Sequence, residues 1–101
     1  MAFDALIIKE EDNVATALRD IHPEEKVRAT VGTIEKVIVV RETIPYGHKF
    51  AIRDIAEGEN IIKYGEVVGR ATRFIGGGFH AHIQNIESLR GKTRLFVQRD
   101  F

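Results

Sequence analysis

Beyond Pro23 the chain changes period, and this change constrains its fold more than any other feature. Lys26-Val27-Arg28-Ala29-Thr30-Val31 alternates charged or polar with apolar residues. Gly32 interrupts it, and Glu35 to Val40 is rich in β-branched side chains. The pattern of short extended runs then repeats to the C-terminus: Lys49–Ile55, Ile61–Tyr64, Val67–Thr72, Phe79–Gln84 and Arg94–Gln98, with turns at Pro45-Tyr46-Gly47, Glu57-Gly58-Glu59 and Gly65-Glu66. Alternation places one face of each run in a core, and runs this short with glycine between them predict a compact all-β fold, not a broad sheet. No internal repeat, linker or low-complexity segment is evident.

Before Pro23 the expectation differs. Ala5 to Ile8 reads as a first short strand. Asp12 followed by Val14, Ala17, Leu18 and Ile21 reads as a capped, one-striped helix that ends at His22-Pro23, the one substantial helix expected. The 101 residues suffice for a single domain, taken as 1–101.

Composition excludes several functions. Fifteen basic residues against fifteen acidic leave no net field for nucleic acid or an anionic membrane, and Arg90, Lys92 and Arg94 read as a solvated strand face. Without cysteine there is no disulfide, thiolate nucleophile or thiolate metal site. No apolar run approaches the ~20 residues of a membrane span, and the first residues lack a signal-peptide pattern, so the expected location is the cytoplasm.

Chemistry concentrates in Phe79-His80-Ala81-His82-Ile83-Gln84-Asn85. In a strand, His80, His82 and Gln84 share one face, with the imidazoles roughly 7 Å apart at Cβ and able to converge on a cation. On spacing alone a pair of exposed surface histidines is the plainer account. His48, after the Pro45 turn, is a second candidate as base or ligand. Lys63 and Tyr64 offer an ammonium for a carboxylate and a phenol as proton donor, or simply a strand end. Gly76-Gly77-Gly78 lacks the phosphate-loop pattern and reads as a hairpin turn or a close backbone approach. No Ser-His-Asp, Cys-His or dinucleotide-binding pattern occurs.

Several of these stretches together resemble a known family. They are Ile44-Pro45-Tyr46-Gly47-His48-Lys49-Phe50-Ala51, Asp54 to Glu59, Ile62-Lys63-Tyr64-Gly65-Glu66 through Thr72, the opening Asp12 to Leu18, and Gly78 to Asn85. In this order they resemble the SAF domain of altronate and galactarate dehydratases. The resemblance implies a SAF-type β-clip fold and a lyase that removes water from sugar acids with a divalent metal, iron or manganese. It also implies a large dehydratase subunit as partner, the chain being the separate small subunit, with a second copy of the chain a further partner class left open. On this reading His80 and His82 contact metal, His48, Lys63 and Tyr64 are catalytic, and Lys49, Gln84 and Asn85 bind substrate. One position departs: the family's histidine immediately before the asparagine is here Gln84, which cannot transfer a proton at neutral pH. The alternatives are a non-catalytic binding module and the small subunit of a sulfolactate sulfo-lyase.

Overall fold

The computed structural model describes residues 3–89. They are entirely β and irregular: β1 (Ala5–Leu6), β2 (Val14–Ala17), β3 (Lys26–Val31), β4 (Ile34–Val39), β5 (Lys49–Ala51), β6 (Asn60–Lys63), β7 (Glu66–Ala71), β8 (His80–Ala81) and β9 (Ile86–Ser88). One sheet has the order β4-β3-β1-β2-β5-β8 and the other β6-β7-β9. The strand expected at Arg94–Gln98 lies outside the described residues. Among the described residues no helix is long and apolar enough to cross a membrane.

The helix expected after Asp12 is a strand. Val14-Ala15-Thr16-Ala17 runs antiparallel to both β1 and β5. Val14 packs in one apolar cluster with Ala51, Ile55, Ile61 and Ile75, while Ala15 and Ala17 pack in the other with Ile21, Val27, Val40, Ile44 and Phe50. A strand buried on both faces has no period-two pattern, so its apolar run imitated a helical stripe. Asp12 is no helix cap either. Its buried carboxylate accepts the backbone N–H groups of Ile8, Lys9, Tyr64 and Gly65. These bonds hold Tyr64 at φ 60, a left-handed conformation uncommon for a non-glycine residue, in the two-residue turn between β6 and β7.

The structure also contains an internal repeat that the sequence reading missed. Arg19-Asp20-Ile21 and Arg53-Asp54-Ile55 are followed by the same reverse turn, at 22–25 and 56–59. In each copy the arginine donates to the carbonyl of the next residue and to the glutamate closing the turn, Glu25 or Glu59. That glutamate in turn accepts the N–H of the turn's first residue, His22 or Ala56. Each copy then makes a β-hairpin and reaches a second isoleucine, bridged back to the first: Ile21 to Ile44 and Ile55 to Ile75. Matching turns follow at 45–48 and 76–79. The third residue of all these turns has positive φ: Glu24, Gly47, Gly58 and Gly78 at 71°, 84°, 86° and 89°. Positive φ there alone marks a type II turn. The aspartates correspond as well, Asp20 accepting Tyr46 N–H and Asp54 accepting Gly77 N–H. Residues 17–49 and 51–80 are therefore two copies of one device, each with its own core.

Candidate functional site

The histidines gather where the two copies meet. His48 closes the 45–48 turn: its N–H donates to Pro45 O, and its carbonyl accepts from Ala17 N–H. β5 then pairs with β8, setting Lys49 opposite Ala81 and Phe50 opposite His80. This pairing joins residues far apart in the chain, and His48 Nδ1 stands 2.9 Å from His80 Nε2.

The glycine run makes the approach of β8 possible. Gly78 N–H donates to Ala51 O, and a Cβ on Gly78 would lie 2.1 Å from Val39 O. The run is thus a close backbone approach, not a loose turn.

β8 ends at Ala81, short of the strand expected through Gln84. Asn85 turns the chain: its Oδ1 accepts His82 N–H and its Nδ2 donates to His80 O. Glu42, which the sequence reading passed over, secures the other side of the segment by accepting His80 N–H at 2.8 Å. Nothing local in the sequence marks it; it faces His80 only because the chain folds back there.

The three rings touch one another. Ring centroids are 4.3 Å apart for His48–His82, 5.1 Å for His48–His80 and 5.4 Å for His80–His82. One ligand nitrogen from each lies within 4.8 Å of the others. Burial lowers the pKa of His82 to about 4, helped by the neighbouring His48, Lys49 and His80. Burial also lowers His80, with His48 and Lys49 in support and Glu42 opposing. Both rings are held in the neutral form a metal ligand needs. His82 Nδ1 is buried without a hydrogen-bond partner. Three neighbouring imidazoles, one with a buried unpaired nitrogen, fit a divalent cation of the nitrogen-binding kind.

The other expected residues fall in several places. Lys49 is buried, at 3% exposure, and its charge reaches His80 and His82. Gln84 lies in the turn after β8 with Nε2 3.0 Å from His80 Nδ1, and Asn85 serves as the brace just described. Lys63 and Tyr64 are not in this cluster. The Tyr64 turn is tied to Asp12 before β2, whereas His48 is tied to Ala17 at the far end of β2. The two places are on the order of 15 Å apart at the rise of an extended chain. There Lys63 Nζ lies 4.9 Å from the Tyr64 ring centroid.

The profile described as "Altronate/galactarate dehydratase SAF domain" matches residues 3–89. The chain is 40% identical over 91 residues to altronate dehydratase of Escherichia coli (strain K12), covering 89% of this chain and 18% of that enzyme. It is 37% identical over 89 residues to altronate dehydratase of Bacillus subtilis (strain 168), covering 88% and 17%. It is 47% identical over 51 residues to (2R)-sulfolactate sulfo-lyase subunit alpha of Chromohalobacter salexigens, covering 50% and 54%. The chain thus spans less than a fifth of the altronate dehydratases and about half of that sulfo-lyase subunit.

Proposed function

Because the chain belongs to the altronate/galactarate dehydratase SAF-domain family, we propose that it supplies the histidine site of a cytoplasmic lyase whose remaining machinery lies on a larger partner. The reaction is β-elimination of water from a hydroxylated carboxylic acid. The observation that carries this reading is the convergence of His48, His80 and His82, one ligand nitrogen from each lying within 4.8 Å of the others.

These three residues would hold the metal, iron or manganese. When bound, such a cation supplies Lewis-acid stabilisation of the negative charge that develops on the substrate carboxylate.

The chain's own groups prepare that site. Lys49 adds a fixed positive charge beside the histidines, and Glu42 and Asn85 hold the backbone of β8 in place. As a ligand, His48 is not free to act as base. The group that removes the proton next to the carboxylate, and the acid that protonates the departing hydroxyl, are assigned to the partner. The size of the curated altronate dehydratases supports this division, since the chain matches under a fifth of their length. So do Ile83, next to His82 in the chain, and Phe74, which lines a cleft with Glu42 and Asn85; they are 64% and 60% exposed. Lys63 and Tyr64 take no step at the histidine site, given their distance from it.

The sulfo-lyase relative, named as a subunit, supports a second substrate, sulfolactate, with sulfite as the leaving group. Assays of the chain alone and co-expressed with a large lyase subunit, using altronate, galactarate and sulfolactate with Fe2+ or Mn2+, test the proposal. Turnover by the pair alone, abolished by His80→Ala, is expected; no turnover in any combination contradicts it.

A further inference from the structure

We infer that Gln84 is a positioning residue that sets the tautomer of His80, changing from hydrogen-bond donor to acceptor when the histidine cluster takes up a divalent cation. The inference rests on the metal reading above and concerns the position where the chain departs from its family pattern.

The orientation of the Gln84 amide assigns the protons: with Nε2 placed 3.0 Å from His80 Nδ1, Nε2 donates and Nδ1 accepts. A neutral imidazole then carries its proton on Nε2, which donates to His48 Nδ1 at 2.9 Å. This is the tautomer in which His80 Nε2, the nitrogen facing the cluster, has no lone pair for a metal. Ligation through Nε2 requires the proton to move to Nδ1, which then needs an acceptor. Turning the Gln84 amide over presents Oε1 at the same place. A carboxylamide serves both states; a leucine serves neither, and a glutamate serves only the ligating one. Gln84 is exposed, in the turn after β8, so its substitution leaves the core intact.

The test uses the full chain with Gln84→Leu and Gln84→Glu variants. Mn2+ affinity is read by calorimetry, and the His80 proton position by long-range nitrogen–proton NMR, with chelator and with Zn2+. Expected are a roughly 10-fold or greater loss of Mn2+ affinity in Gln84→Leu and unchanged or tighter binding in Gln84→Glu. His80 should carry its proton on Nε2 in the chelated wild type, on Nδ1 in the Zn2+-loaded wild type, and already on Nδ1 in chelated Gln84→Glu. A wild type that binds Mn2+ no better than Gln84→Leu, or a His80 tautomer indifferent to the Glu change, overturns the positioning role while leaving the cluster. A wild type that takes up neither ion overturns the cluster and the switch together.

Discussion

In residues 17–49, the Arg19–Glu25 clasp leads through the β3–β4 hairpin to the Ile21–Ile44 bridge and a turn that ends on His48. In residues 51–80, the Arg53–Glu59 clasp leads through β6–β7 to the Ile55–Ile75 bridge and a turn that ends on Phe79, with His80 next. The scaffold is shared, and the contents of the last turn are not. The first copy uses Pro45-Tyr46-Gly47-His48, which directs an imidazole at the junction. The second uses Gly76-Gly77-Gly78-Phe79, which lets the backbone come against Val39 and Ala51 so that His80 and His82 meet that imidazole. A repeated device thus gathers three imidazoles where its copies differ, with one donating a side chain and the other giving up side chains to close the distance.

Substitutions at matching positions test that division. The largest effect is expected at Gly78. An alanine there meets Val39 O at 2.1 Å as well as the strain of φ 89°, and should cost about 3 kcal/mol or more. At the matching Gly47, φ 84° with nothing within 4 Å of the added Cβ, alanine should cost only about 1 kcal/mol. Urea denaturation of both variants measures the difference, and equal losses would remove the special role given to the glycine run.

The next effect is pH-dependent. His82 is held at about 4 in the fold against 6.5 for the ordinary group, chiefly by burial. Between these values the unfolded chain binds more protons than the folded one. The stability due to neutral His82 is therefore complete above 6.5 and lost as pH falls toward 4. With chelator present, the melting temperature should decline across that window, and His82→Gln should flatten the decline.

The smallest effect is at Glu24, the one non-glycine in the repeated left-handed position. Glu24→Gly should raise stability by about 0.5–1 kcal/mol, with little offset from the exposed Arg41–Glu24 pair. A loss on thermal unfolding would show that the two copies' turns are not equivalent.

Much of this architecture was legible in the sequence, and the exceptions have physical causes. β3, β6 and β7 were visible because each alternates or is rich in β-branched residues between glycine turns. β2 was not, because Val14 and Ala15 enter different cores and leave no polar face. The repeat escaped notice because its identity is confined to Arg-Asp-Ile, a glutamate four residues later, and a backbone angle that Glu24 and the glycines share without resembling one another. In the site, His80 and His82 were visible as a spaced pair, and the kinship of the surrounding motifs raised His48. Its 2.9 Å approach to His80 depends on the β5–β8 pairing, which no local pattern encodes. Lys63 and Tyr64 belong to a familiar motif, but β2 holds their turn at its other end. Glu42 and the bond from Gln84 to His80 exist only in the folded chain.

The central claim is that the two copies meet to form a single cation site. Crystals of the chain grown with Mn2+ and measured for anomalous scattering address it directly. The account predicts a peak within bonding distance of nitrogens from His48, His80 and His82 together. Manganese bound elsewhere, or a histidine cluster without a peak at saturating Mn2+, would contradict it.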